Sequence, residues 1–145
     1  MPYAVAVAPI GTSKIVCVDC LQRLDAAAAR ALRSDGFVAA GRYVNLTSAP
    51  SPYAVTREEL AEVTGEGLGM WAIQFARTGG WSEETGAADG AAAVRNAFAA
   101  GFAPGSVVEM DLEGKIPLEV QAPYANAWYE AATREGGGEL AAYIG

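Results

Sequence analysis

The sequence predicts an α/β fold built on a parallel sheet. Helix and strand patterns alternate along the chain, and glycine stops separate most helix patterns from the apolar strand that follows. Strand patterns start near residues 14, 37, 70, 106 and 140, and the later spacings match one βα unit. No hairpin turn of the Asn-Gly type separates them. This alternation is typical of a doubly wound sheet or of a barrel, which both carry their chemistry at the carboxyl ends of the strands.

Length, composition and charge narrow the class of protein. The 145 residues make one domain, 1–145, and 52% of them are hydrophobic, as in globular proteins. The net charge of −7 argues against nucleic acid and against anionic membrane surfaces as partners. No apolar run is long enough for membrane insertion, and Met1–Pro9 lacks the basic start of a signal peptide, so cytoplasmic synthesis is expected. The absence of histidine excludes Ser-His-Asp and Cys-His catalysis and His-ligated zinc.

The two cysteines form the motif Cys17-Val-Asp-Cys20. Such a pair can be a redox couple or half of a zinc site, but the chain holds no second pair. The motif also lies in a strand pattern, where residues three apart point to opposite faces. The sequence therefore favours neither a redox motif nor a metal site, and it predicts no cofactor.

The first half of the chain contains three main strand patterns and two helix patterns. Tyr3–Ala8 is a further, N-terminal strand candidate. The other strands are predicted from apolar runs at Lys14–Asp19, Phe37–Val44 and Leu68–Ala76. A helix is predicted over Leu21–Ser34 with Gly36 as its cap, and a short one follows Thr56, where Thr56 and Glu59 form a capping box.

The second half continues the alternation. An Ala-rich helix is predicted over Gly86–Ala100, and a strand over Ser106–Gly114. Residues 115–123 contain two prolines and are expected to be irregular. A helix over Tyr124–Glu135 and a last strand over Leu140–Gly145 complete the pattern.

The strand Ser106–Gly114 carries the most informative pattern. Because side chains alternate along a strand, Glu109, Asp111 and Glu113 share one face, and Val108, Met110 and Leu112 share the other. One interpretation is an edge strand with a solvated acidic face. The other is a set of carboxylates at the mouth of a parallel sheet, where Glu109 lies deeper and needs a partner, for which we expect Arg42.

The predicted strand ends favour sugar chemistry over nucleotide binding. No Gly-x-Gly-x-x-Gly or phosphate loop follows a strand, whereas two carboxylates and aromatic surfaces suit glycosides. Each side chain also has a structural interpretation: a helix cap for Asp19, an ion pair for Arg42, packing for the tyrosines and a core position for Trp71. Trp81, in a Gly-rich loop, is the better candidate for a sugar-stacking surface. The candidate residues are Asp19, Arg42, Tyr43, Gln74, Trp81, Asp111, Glu113 and Tyr143.

An ordered set of segments resembles a known family. It contains Cys-Val-Asp-Cys, Asp-Gly-Phe-Val-Ala-Ala-Gly-Arg-Tyr-Val, Thr-Arg-Glu-Glu-Leu, Gly-Leu-Gly-Met-Trp, Ala-Pro-Gly-Ser-Val-Val-Glu-Met-Asp-Leu-Glu and Ala-Ala-Tyr-Ile-Gly. From about residue 14 to 145, this set resembles the glycoside-hydrolase-like TIM-barrel domains of the DUF1906 group. Asp111-Leu-Glu113 is also similar to the Asp-x-Glu at the end of the fourth strand in family 25 lysozymes.

The resemblance implies a lysozyme-like hydrolase site for peptidoglycan. Glu113 would be the general acid, with Asp111 and Asp19 supporting charge or orienting the substrate. The residues implied to bind substrate at the same mouth are Arg42, Tyr43 and Tyr143. Members of the family occur in bacteria and in phages, so the resemblance implies a location at the cell wall or in a phage virion.

The resemblance also implies a chain longer than this one. A TIM barrel has eight strands, whereas five βα strands and a possible N-terminal strand are predicted here. We therefore expect an incomplete or reduced barrel, with three explanations open: the chain is a fragment of a longer barrel, a homo-oligomer or partner chain covers the open sheet edge, or the fold has been reduced and repurposed. The alternative function is a non-catalytic glycan-binding or assembly module, for example in a phage virion. A calcium or magnesium site at Glu109, Asp111 and Glu113 is a third interpretation.

Overall fold

Five parallel strands form one curled sheet. The computed structural model describes residues 16–114 and 116–144, so the strand candidate Tyr3–Ala8 lies outside the described residues. The strands pair in sequence order, and every pair is parallel. They are β1 (Val16–Cys20), β2 (Phe37–Val44), β3 (Gly69–Gln74), β4 (Val108–Leu112) and β5 (Leu140–Ile144).

Sequential strand order decides between the two predicted architectures. Crossovers between parallel strands are right-handed, so a chain that always adds the next strand on the same side places all its helices on one face. A doubly wound sheet instead reverses its strand order and has helices on both faces. The sheet is therefore a half-barrel of the TIM type, with a concave inner face and a convex face covered by helices.

Four helices cover the convex face. They are α1 (Ala26–Ser34), α2 (Arg57–Gly65), α3 (Glu83–Ala100) and α4 (Leu118–Arg134). The core lies between these helices and the convex side chains of the strands, such as Met70, Val108 and Leu112, which are almost fully buried. Among the described residues, no helix has both the length and the hydropathy needed to cross a bilayer.

Local capping signals were read correctly from the sequence in part. Thr56 accepts a hydrogen bond from the Glu59 backbone N–H, which is one half of the predicted capping box. The other half is not formed, because the Glu59 carboxylate bonds to Arg42 and to the Leu24 N–H instead. Gly36 follows α1 with a φ of 92°, a left-handed conformation that glycine adopts without steric cost. The start of α1 was predicted too early, because Asp25 caps this helix by accepting from the Ala28 N–H.

The expectation of an irregular segment over 115–123 is wrong from Leu118 onward. Helix α4 begins there and continues through Pro123, although a proline removes one backbone donor. Tyr124 and Trp128, one turn apart, are buried beneath this helix. Burial of two large aromatic side chains offsets the proline cost, and the local sequence signal cannot show that packing.

The last two helices, α3 and α4, pack in close contact. A Cβ atom added to Gly86 would overlap the Tyr124 carbonyl oxygen, and one added to Gly90 would overlap that of Trp128. Asp89, between the two glycines, accepts a hydrogen bond of 2.8 Å from the Tyr124 hydroxyl. The glycines let the helix backbones approach, and the buried hydrogen bond sets their register.

Candidate functional site

A cleft opens on the concave face toward the carboxyl ends of the strands. Its volume is about 280 Å³, at the lower limit of typical small-molecule sites. Four acids and three aromatic residues line it: Asp19, Glu109, Asp111, Glu113, Tyr43, Trp71 and Tyr143. Cys17, Val18 and Ile73 complete the lining. The cleft therefore lies where parallel α/β barrels carry their active sites.

The acidic strand β4 divides its side chains as the alternation predicts. Val108, Met110 and Leu112 enter the core, while Glu109 and Asp111 point into the cleft. Glu113 follows directly after the strand and is exposed at the mouth. The carboxylates thus line an open cleft of a half-barrel and not the solvated face of an edge strand, because β4 pairs with β3 and with β5.

The carboxylate of Glu109 has an indole N–H as its hydrogen-bond donor. Trp71 Nε1 donates a hydrogen bond of 2.7 Å to Glu109 Oε2, across the β3–β4 pair. Burial raises the pKa of Glu109, the indole hydrogen bond opposes that shift, and the charge of Asp19 adds to it. The expected partner, Arg42, does not approach Glu109, so that prediction is wrong.

Asp111 is the most strongly perturbed acid of the cleft. Its exposed fraction is 7%, and its Oδ1 accepts a hydrogen bond of 3.1 Å from the Glu113 backbone N–H. Burial, together with the negative charges of Glu113, Glu109 and Asp19, raises the pKa of Asp111 to about 6. A carboxyl group with that pKa is partly protonated near neutral pH, so it can donate or accept a proton.

Tyr43 places a neutral hydroxyl beside the acids. Its ring stacks on Phe75 with a centroid separation of 4.8 Å and an interplanar angle of 25°. Burial and the nearby carboxylates, first among them Asp111, raise the pKa of Tyr43 to about 12. The hydroxyl therefore stays protonated at physiological pH and can donate a hydrogen bond.

Gly41 makes room for the cleft floor. It lies on β2 opposite Asp19 of β1 and Trp71 of β3. A Cβ atom there would lie 2.6 Å from the Trp71 ring and 2.5 Å from Ile73 Cδ1. Any larger residue would displace the indole that bonds Glu109, so the glycine is required by side-chain packing and not by its backbone conformation.

Arg42 lies on the opposite face of the sheet from the cleft. Its guanidinium is almost fully buried and donates two hydrogen bonds to Glu59, of 2.6 and 3.1 Å. It also donates to the carbonyl oxygens of Cys20, Leu21 and Tyr53. The structure therefore gives Arg42 a structural role, and its predicted place at the substrate mouth is wrong.

Two other predicted residues also lie away from the cleft. Gln74 is buried on the convex face, where its Oε1 accepts a hydrogen bond of 2.7 Å from Trp128 Nε1. Trp81 packs edge-on against Tyr124, with a centroid separation of 4.7 Å. The structure brings together Asp19, Tyr43, Asp111, Glu113 and Tyr143 from the predicted set.

Sequence reasoning missed Trp71 by interpreting it as a core residue. The signal that could have found Trp71 is the alternation of side chains along each strand, because residues two apart share a face. Tyr43 faces the cleft, so its neighbour Arg42 must face the helices. In β3, Gln74 is buried on the helix side, so Trp71 and Ile73 must line the cleft, and Cys17 shares the face of Asp19 in β1.

The positions of the described acids do not fit the calcium or magnesium interpretation. Within residues 16–114 and 116–144, no three acid or cysteine side chains lie close enough to hold one metal ion. The acids of the cleft are spread along and across the strands.

The fold and the cleft define a class: a parallel (β/α) half-barrel with carboxylates at the strand ends, as in glycoside hydrolase-like domains. The sequence model of the Rv2525c-like, glycoside hydrolase-like domain family matches residues 30–144, so the chain belongs to this family. No curated protein matches the chain.

Solved structures share the fold. The Mycobacterium tuberculosis Tat-secreted protein Rv2525c, solved with HEPES and with L-tartrate, aligns with a TM-score of 0.65 and 17% identity. An uncharacterized B. stearothermophilus protein aligns with a TM-score of 0.66 and 23% identity. The alignments cover 85% and 86% of this chain, which spans 65% of the Rv2525c chain and 58% of the other.

Proposed function

We propose that this chain is a glycan-directed domain that cleaves a cell-wall polysaccharide, with peptidoglycan as its substrate. The observation that carries the proposal is the pairing of Asp111, whose pKa is raised to about 6, with the exposed Glu113 two residues away. Two carboxyl groups in unlike environments are the arrangement that glycoside hydrolysis uses. Membership of a glycoside hydrolase-like family supports the same reaction class.

Asp111 and Glu113 would have different catalytic roles, because one is buried and the other is exposed. The protonated form of Asp111 would give its proton to the glycosidic oxygen while the bond between that oxygen and the anomeric carbon breaks. Glu113, as a carboxylate, would stabilise the positive charge that develops on the sugar ring or activate water. This assignment exchanges the roles that the lysozyme resemblance implies, because the raised pKa favours Asp111 as the acid.

The remaining lining residues would bind and orient the sugar. Trp71, Tyr43 and Tyr143 present aromatic rings to the cleft, and the neutral Tyr43 hydroxyl can donate to a sugar oxygen. Asp19 is exposed on β1, the edge strand farthest from β5. Its carboxylate can accept hydrogen bonds from sugar hydroxyls. Export to the wall would fit this role, and the relative Rv2525c is described as Tat-secreted.

Release of reducing ends from purified cell walls tests the proposal. Asp111→Asn and Glu113→Gln should each lower the rate by at least about a hundredfold, the usual contribution of acid–base catalysis. Glu130→Gln is the matched control, because Glu130 is an exposed acid on α4, on the helix-covered side of the sheet. Wild-type rates in both cleft variants, or no release by the folded wild-type protein from any wall preparation, would overturn the proposal.

A second candidate is glycan binding without turnover. It is favoured by the 7% exposure of Asp111, which leaves the proposed acid little open surface for contact with a glycosidic oxygen. This reading includes the assembly role, in which the exposed strand β5 would meet a partner chain or a second copy. Binding of wall fragments by a wild-type protein that releases no reducing ends would select this candidate.

A further inference from the structure

The two edges of the sheet differ in their protection against pairing. Edge strand β1 carries the exposed charge of Asp19, and its register with β2 shifts between Val16 and Cys17. Charges and bulges are features by which edge strands avoid pairing with another chain. Edge strand β5, Leu-Ala-Ala-Tyr-Ile, has no charged residue and no proline, and its register with β4 is continuous. The β5 edge is therefore the one open to a further strand.

The side chains of β5 are exposed on both faces of the sheet. Tyr143, which points into the cleft, is 48% exposed, and Ile144, which points to the other face, is 68% exposed. Ala141 and Ala142 are exposed as well. An exposed apolar edge strand is a site at which another strand can add to the sheet.

The backbone of β5 presents its free groups at alternate residues. The Val108 N–H donates a hydrogen bond of 2.9 Å to the Glu139 carbonyl oxygen. In a parallel ladder every second residue bonds to the same neighbouring strand, so Glu139 and the residues two and four further on bond to β4. The N–H and C=O groups that point away from β4 belong to Leu140, Ala142 and Ile144. No strand among the described residues lies on that side.

These outward groups are complementary to a second copy of the same strand. In an antiparallel pair centred on Ala142, this residue lies opposite Ala142 of the partner, and Leu140 lies opposite Ile144 of the partner. Each such pair can exchange two hydrogen bonds, because all three residues direct both backbone groups outward. Ala141 then lies opposite Tyr143 of the partner, so a small side chain faces a large one on the cleft side.

The absence of charge on β5 also favours a second copy. The net charge of −7 makes two copies of the chain repel each other. Like charges directly opposite each other destabilise an antiparallel pair, and β5 brings none to the pairing. The remaining repulsion comes from charges outside the strand, which salt screens. Association through β5 should therefore become tighter as the salt concentration rises.

We propose that β5 is a self-association surface, through which two copies of this chain pair in an antiparallel register centred on Ala142. The twofold axis is perpendicular to the sheet, so both clefts open on the same side, and β5 of the partner extends the cleft wall that Tyr143 forms. The proposal goes beyond the glycan function and holds whether or not the clefts cleave their substrate. It specifies the partner and the register of the assembly role.

Sedimentation equilibrium of the chain over a range of concentrations and salt tests the proposal. Five residues from each copy are fewer than the about 20–30 a side of a standard interface, so the dimer should dissociate on dilution. We expect a dissociation constant on the order of 100 μM, lower at high salt than at low salt. A chain that stays monomeric at several times that concentration, at low and at high salt, would overturn the proposal.

Charged substitutions at the centre of the pair test the register. Ala142→Lys and Ala142→Glu each place like charges opposite each other at the twofold axis, so each variant alone should be monomeric. An equimolar mixture of the two should form a heterodimer, because opposite charges then meet. Ala61→Lys, at an exposed alanine of α2, is the matched control and should associate like the wild type. Dimers of either Ala142 variant alone, a monomeric mixture, or an equal loss in Ala61→Lys would overturn the assignment.

Ala142→Pro and amide exchange test the outward hydrogen bonds. The variant removes an N–H that does not bond to β4, so it should keep the wild-type circular dichroism and lose the dimer. In the wild type, the N–H groups of Ala142 and Ile144 should exchange more slowly as the protein concentration rises. The Tyr143 N–H, which bonds to β4, should be protected at every concentration. Exchange at Ala142 that does not depend on concentration would overturn the proposal.

Discussion

The indole nitrogen of Trp71 donates a hydrogen bond of 2.7 Å to Oε2 of Glu109 and thereby joins β3 to β4 on the concave face. The indole holds one acid of the cleft in a fixed position. It also stabilises the ionised form of Glu109 against the burial that raises its pKa. The other acids of the cleft are therefore arranged around a fixed negative charge.

Trp71→Phe should destabilise the protein mainly at high pH. The variant removes the donor, and a hydrogen bond to a charged group contributes about 1.5–3 kcal/mol. The loss should be larger at pH 8, where Glu109 is ionised, than at pH 4, where it is protonated. Urea unfolding at both pH values measures this difference. A double-mutant cycle with Glu109→Gln is the control, and losses that are equal at both pH values would contradict the assignment.

Asp111 should make the protein less stable as the pH rises. Its pKa is about 6 in the folded state and about 3.9 in an unfolded chain. Between these values the folded protein binds more protons than the unfolded chain, so the free energy of unfolding falls as the pH rises from about 4 to 6. We expect about 2 kcal/mol from this group, after a discount for the solvent that enters the open cleft.

Asp111→Asn should reduce that pH dependence. The variant keeps an oxygen that can accept the Glu113 N–H and removes the charge, so it should be more stable than the wild type at pH 8 and similar at pH 4. Urea unfolding across this range measures the effect, and Glu130→Gln should retain the wild-type slope. An unchanged slope in Asp111→Asn would show that the other acids dominate.

Arg42→Met should be strongly destabilising. The change leaves Glu59 as a buried charge whose one remaining donor among the described residues is the Leu24 N–H, and breaking a buried ion pair costs about 3–5 kcal/mol. Arg95→Met is the matched control, because the Arg95–Glu135 pair is exposed and should contribute less than about 1 kcal/mol. Chemical denaturation compares the two variants, and similar losses would count against the buried network.

Gly90→Ala should separate the last two helices. The added methyl group would overlap the Trp128 carbonyl oxygen, and overpacking of this kind costs about 1–3 kcal/mol. Gly65→Ala is the control, because Gly65 ends α2 with open space around it and should be neutral or stabilising by up to about 1 kcal/mol. Thermal unfolding measures the stability of both variants. If helix propensity alone set the stability, Gly90→Ala would be no less stable than Gly65→Ala, and the assignment would be wrong.

Much of the fold could be predicted because its signals are local. The bounds of β2 agree with the prediction, and the caps of α1 and α2 carry their own sequence signatures. The sequence alone left the doubly wound and barrel folds open, because both read as alternating βα units. Pairing of all strands in sequence order decided for the half-barrel.

The candidate site was predicted in part. Asp19, Tyr43, Asp111, Glu113 and Tyr143 meet in one cleft because parallel strands end at the same edge of the sheet. Arg42, Gln74 and Trp81 do not join them, for the position of a residue at a strand end does not decide which face its side chain occupies. The alternation of side chains along β2 and β3 would have placed Arg42 on the helix side and Trp71 in the cleft.

The sequence by itself determined that β4 presents acids on one face and apolar side chains on the other, since alternation is a property of the strand backbone. Only the tertiary structure decided which side chains are bonded to each other. Arg42 and Glu59 are 17 residues apart, and Trp71 and Glu109 are 38 apart, so no local pattern links them. The raised pKa of Asp111 likewise depends first on burial, and in its smallest part on the charge of Asp19 from β1, and both act only when the sheet has formed.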